Sequence, residues 1–173
     1  GKKDGVGSFR QIDFDNFYLN DIKIEGVRRH EIINIENEVD KTIQISLENG
    51  KMIYPDGSLS TRSKNFTKVI KYKNDKQFST SVTGNASGLD SGGSSFDMKI
   101  ISPIIFLNKC SDQQKNKKGI IPVAGIKNIT KNDFEIIIDF GDGECDSLAD
   151  ITKEGITETV DLRKVHLKKI SKN

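Results

Sequence analysis

Apolar and polar residues alternate with a period of two along most of this chain. In "KTIQISLE", Ile43, Ile45 and Leu47 fall on one side and Thr42, Gln44, Ser46 and Glu48 on the other. Consecutive side chains of a strand point to opposite faces, so the spacing predicts a half-buried strand; a helix would scatter the same residues. Asn49-Gly50 follows at once. Both residues tolerate positive φ, which predicts a tight hairpin turn with "KMIY" as the returning strand. Pro55-Asp56-Gly57 predicts a second turn, Pro fixing φ and Gly accepting a left-handed conformation. Residues 42–62 therefore read as a meander. In "FEIIIDF", Phe134, Ile136, Ile138 and Phe140 share one face against Glu135 and Asp139.

The same rhythm predicts strands at 8–14, 17–27, 31–39, 67–72, 78–83 and 94–101. Further strands are predicted at 120–125, 149–152, 156–162 and 164–170. Ile, Val and Phe outnumber good helix formers in these runs. Asp146–Glu154 could pass for a short helix, but "TKEG" reads better as a hairpin turn into "ITETVDL". Many short strands joined by turns predict an all-β fold, an antiparallel β-sandwich or open barrel built from hairpins and meanders.

The stretch "GNASGLDSGGSS" (Gly84–Ser95) interrupts the pattern, either as a link between two halves or as a long exposed hairpin loop. "NKCSDQQKNKKG" (Asn108–Gly119) reads as a second polar loop. The glycine-rich opening, residues 1–7, suits a flexible tether, and 8–173 reads as one all-β domain, with a subdivision near 84–95 as the alternative. The two loops are the expected contact surfaces.

Composition narrows the function. Of 173 residues, 34% are hydrophobic and 30% charged, which favours thin layers with one wet face each. A net charge of +2 lacks the concentrated basic excess of nucleic-acid binders. The basic "RKVHLKKISKN" at the C-terminus reads as lysines guarding a sheet edge, with a polyanion or membrane-surface site as the alternative. No apolar run approaches the roughly 20 residues of a membrane helix.

Candidate chemistry is sparse. His30 and His166 both lie in alternating, charge-flanked segments without a nucleophile motif, so each reads as a surface histidine and no catalytic residue is assigned. The glycine-rich stretch lacks the Gly-Lys-Ser/Thr ending of a phosphate loop, so no cofactor is expected. Two cysteines and two distant histidines give no zinc cluster. Calcium is the more serious metal, because Asp139, Asp142, Glu144 and Asp146 crowd one turn. Counted from Asp142, however, the sixth and twelfth positions of an EF-hand loop would be Ser147 and Lys153, where Gly and Glu are needed. A plain turn is the preferred reading.

Cys110 and Cys145 suggest one disulfide in a chain of secreted character, with two separate buried thiols as the alternative. N-x-S/T sequons stand at Asn65, Asn85 and Asn128. Absence of Trp disfavours an aromatic sugar platform and leaves a polar groove as the route to glycan binding.

Several motifs in order carry a resemblance. They are "IYPDG" at Ile53–Gly57 before Thr61-Arg62, "VTGNASG" at Val82–Gly88, "ISPIIF" leading to Cys110, "IPVAG" at Ile121–Gly125, and "DFGDGECD" at Asp139–Asp146. Together they resemble uncharacterised lipoproteins of Bacteroidetes-type bacteria with a GDG-x-CD turn. That resemblance, spanning roughly residues 50–162, implies a secreted, extracytoplasmic all-β protein held by an N-terminal lipid anchor outside this chain. It also implies pairing of Cys110 with Cys145. The expected function is a non-catalytic cell-envelope binding or structural module for a protein or glycan at the cell surface. The alternatives are a carboxylate-dependent glycan hydrolase and a calcium-stabilised adhesin-like module.

Overall fold

The computed structural model describes residues 4–110 and 121–164. They form ten strands: β1 (Phe9–Leu19), β2 (Ile22–Glu36), β3 (Asp40–Ile53), β4 (Leu59–Lys73) and β5 (Lys76–Leu89), then β6 (Ser95–Leu107), β7 (Ala124–Lys131), β8 (Phe134–Asp142), β9 (Leu148–Lys153) and β10 (Ile156–Asp161). Each strand pairs antiparallel with the next, so the sheet order is the chain order. The all-β meander expected from the alternation is present as one open sheet. Neither a second packed sheet nor closure of β1 onto β10 occurs among the described residues.

Tight turns make this meander. Left-handed backbone recurs where the chain reverses, at Asn20 and Asp21, Asn37 and Glu38, Asn74 and Asp75, and Asn132. Asn and Asp tolerate that conformation better than other non-glycine residues, and two-residue loops with positive φ match the twist of the strands they join. Four boundaries differ from those expected. The strand predicted at 17–27 contains the Asn20-Asp21 turn. The one predicted at 31–39 is the end of β2. Residues 121–123 precede β7, which continues to Lys131. Of Gly84–Ser95, the hairpin uses only the turn between Leu89 and Ser95, because Gly84–Leu89 pairs within β5. The strand predicted at 164–170 lies, apart from Lys164, outside the described residues.

Asn49-Gly50 is the most instructive difference. Asn49 is left-handed (φ 50°), as expected, but the chain does not reverse. The register of β3 against β4 shifts between Leu47 and Gly50, so the pair forms a bulge inside one long strand. Similar shifts occur in β1–β2 and along β6, where Pro103 sits. Bulges add twist and tolerate a proline that an ordinary ladder position would not. Gly84 and Gly125 are required by this geometry: a Cβ on either would overlap a neighbouring carbonyl oxygen, Asn65 and Pro103 respectively.

Directly opposed residues share a face, so the registers sort the sheet into two. One face carries Ile12, Ile45, Phe66, Val82, Ile104 and Ile138; the other carries Gln44, Asn65, Thr67, Asn85, Asn128 and Thr152. Burial concentrates on the apolar face at the β6–β10 end. There Ile104, Phe140 and Ala149 are buried together, with Ile100, Phe106, Ile138, Val160 and Leu162 packed around them. The Cys110–Cys145 disulfide closes this end, joining the short 3-10 turn after β6 (Asn108–Cys110) to the β8–β9 loop. Cys110 is 1% exposed.

Candidate functional site: the polar face

Ser46, Asn65, Asn85, Lys99 and Asn128 stand opposite one another in register, one from each strand from β3 to β7. In the next row, Thr67 and Thr83 face Gln44 across β4 and β5. Cross-strand amide and hydroxyl pairs of this kind hydrogen-bond along the sheet surface. Gln44 Nε2 donates to Asn65 Oδ1 and to the Phe66 carbonyl (3.1 Å), while Thr67 Oγ1 donates to Gln44 Oε1 (3.1 Å). Farther along, Asn128 Nδ2 donates to Glu135 Oε1, and the Thr152 and Thr157 hydroxyls lie 2.8 Å apart.

Two shallow grooves cross this face. One, of about 450 Å³, is lined by Gln44, Ser46, Ser63, Asn65 and Asn85. The second, also about 450 Å³, runs on through Asp97, Lys99, Asn128 and Thr130. Asn85 and Ser87 line both, so the grooves adjoin. Within the second, Asn128 Oδ1 is buried and has no hydrogen-bond partner among the described residues. A buried amide oxygen left unsatisfied costs about 1–3 kcal/mol.

The three sequon asparagines all belong to this row, and their hydroxyl partners Thr67, Ser87 and Thr130 share the same face. The sequence marked them through N-x-S/T, which at a period of two places both residues on one side. Their mutual alignment was hidden. It depends on the Asn74-Asp75 turn, and on bulges in β5 and β6, to fix which residue meets which.

The acidic turn uses its carboxylates locally. Asp139 Oδ1 accepts from the Gly141 N–H and Asp146 Oδ1 from the Leu148 N–H, each at 2.9 Å. Such bonds to a backbone N–H two residues on are how Asp stabilises a turn. Asp142 and Glu144 are exposed. No group of three or more His, Cys, Asp or Glu side chains gathers at a metal-binding spacing among the described residues.

His30 differs from its reading as a surface histidine. It is half-buried on the apolar face, and its Nε2 accepts from Arg28 Nε at 3.0 Å. Burial lowers its pKa, and the positive charges of Arg28, Lys64, Lys68 and Arg10 lower it further. His166 lies outside the described residues, as does most of the loop expected at 108–119. Compared with family models, curated proteins and solved structures, the chain matches none.

Proposed function

We propose that this chain is a non-catalytic binding module of the bacterial cell envelope whose polar face receives a glycan. The observation that carries the reading is the aligned Asn65, Asn85 and Asn128 row in adjoining grooves across β3 to β7. Amides and hydroxyls both donate and accept, as a sugar's hydroxyl groups require. A row on a sheet repeats its groups at the strand spacing of about 4.8 Å, which suits an extended chain of sugars better than one small polar molecule. The Cys110–Cys145 bridge supports an oxidising, extracytoplasmic setting. The resemblance to lipoproteins of Bacteroidetes-type bacteria supports attachment at the envelope.

Titration of the labelled protein with cello-, malto-, laminari- and chito-oligosaccharides, followed through the side-chain amide resonances, tests the reading. The expected result is that one series shifts the Asn65, Asn85 and Asn128 resonances together, and that the Asn85→Ala/Asn128→Ala variant loses the response. Shifts that miss the row, or no response to any series, would refute it.

A further inference from the structure

The opposite face has a charge distribution that the glycan reading does not use. From β1 to β6 its positions carry Arg10, Arg28, His30, Arg62, Lys64 and Lys68, with Lys41 nearer the β2–β3 turn. No Asp or Glu stands in register on that face over these six strands; the acidic residues Asp13, Glu31, Glu48 and Asp97 all take the polar face. None of these six arginines and lysines has a salt bridge among the described residues, whereas Arg29 on the polar face is paired with Glu31 at 3.0 Å. The patch is crowded: Lys64 is half-buried, and burial together with Arg28 and Arg62 lowers its pKa.

Between these cations the floor is apolar. A cleft of about 230 Å³ opens over β1 to β4, walled by Phe14, Ile24, Leu47 and Met52, with Arg28, Arg62 and Lys64 at its edge. Glu25 also borders it, but its carboxylate is engaged by Lys23 (2.8 Å) and Lys51 (3.7 Å). Gly50 leaves the floor open at the point where a side chain would strike Leu47.

A second copy laid face to face on this patch would bring like charges together. A plain polyanion would leave the apolar floor uncovered. An occupant that satisfies both features is apolar along one part and anionic at its end. We propose that this cleft binds a single anionic amphiphile, its acyl chain along Phe14, Ile24, Leu47 and Met52 and its phosphate or carboxylate head against Arg28, Arg62 and Lys64. The site is on the opposite side of the sheet from the asparagine row, so either can fail without the other.

Calorimetric titration with monomeric dodecyl phosphate tests it, with inorganic phosphate, dodecyl maltoside, and phosphatidylglycerol and phosphatidylcholine vesicles as the other arms. Saturable one-to-one binding of dodecyl phosphate is expected, with dodecyl maltoside and inorganic phosphate each far weaker. Arg62→Gln and Lys64→Gln should each weaken it about fivefold, the effect of about one cation near an anionic headgroup. Fold integrity is read from the Cys110–Cys145 end by amide exchange, which these exposed and half-exposed changes should leave unaltered. Binding of dodecyl maltoside as tight as dodecyl phosphate would overturn the head-group assignment, and equal binding of inorganic phosphate the acyl one. Response to phosphatidylglycerol vesicles without binding of the monomer would replace the single-molecule site with membrane docking. Self-association blocked by Lys64→Gln would point to a second copy and also overturn the proposal.

Discussion

The two ends of the sheet are built from the same alternating pattern, yet they are held together differently. At the β6–β10 end the buried trio Ile104, Phe140 and Ala149 is surrounded by further apolar side chains and tied by a disulfide. At the β1 end every residue of the edge strand except Phe14 is exposed, including Ile12 (51%), Phe17 (45%) and Leu19 (55%). Along β1 and β2 the structure relies on backbone ladders, short-range ion pairs such as Lys23–Glu25, and the Arg29 guanidinium stacked 3.9 Å from the Phe9 ring centre. The contrast teaches that in a single-layer sheet a hydrophobic pattern does not guarantee a core. Apolar groups gain stability only where a neighbouring element removes them from water.

Changes at the two ends should therefore differ in size, and the largest effect is expected at Phe140. Removing this buried ring should cost about 3–5 kcal/mol by denaturant unfolding, whereas Ile12→Ser at the bare edge should stay within about 0.5 kcal/mol. Equal costs would break the distinction. Replacing both Cys110 and Cys145 by Ala opens a link across 35 positions and should cost roughly 3–4 kcal/mol in the chain-entropy model. Unfolding midpoints of the oxidised protein and the double variant check it.

Gly84→Ala tests the middle of the sheet. With φ at +123° and the Asn65 carbonyl in the way, it should destabilise by about 1–3 kcal/mol and disturb the β4–β5 register in amide exchange. In the native protein, amides of β7 to β9 should exchange slowest and those of β1 fastest.

The smallest expected effect is electrostatic. The folded His30 imidazole has its pKa held below the ordinary 6.5. As pH falls through that ordinary value, the unfolded chain takes up the proton before the folded one does, so stability declines. The decline ends once the pH passes the lowered folded value. His30→Gln should remove this component of the stability loss that begins as pH falls through the ordinary histidine range. The lowered carboxylate of Asp90, held by Lys131 at 2.7 Å, acts in a more acidic window, because its stabilisation is lost only as the pH falls through the carboxylate range.

Reading the sequence found most strands and the chemistry of each face, because residues two apart in an extended chain must lie on the same side. The rhythm of "KTIQISLE" or "FEIIIDF" is a local property and survives any arrangement of the strands. It also marked Asn49 as left-handed and Pro55–Gly57 as a turn. It misjudged what Asn49 does, since positive φ serves a bulge as readily as a reversal, and the choice rests on whether Gly50 finds a partner in Arg62 on β4. Asn65, Asn85 and Asn128 were visible one by one but not as a row.

What the sequence alone determined is thus the strand content, the two-faced character and the residues able to turn the chain. Tertiary structure decided the single open layer of the described residues, the concentration of burial toward the β6–β10 end, the alignment of Asn65, Asn85 and Asn128, and the separation of cations from acids on the two faces of β1 to β6. The physical reason is that alternation fixes which way a side chain points relative to its own neighbours. Register, set by turns and bulges many residues away, fixes what it points beside.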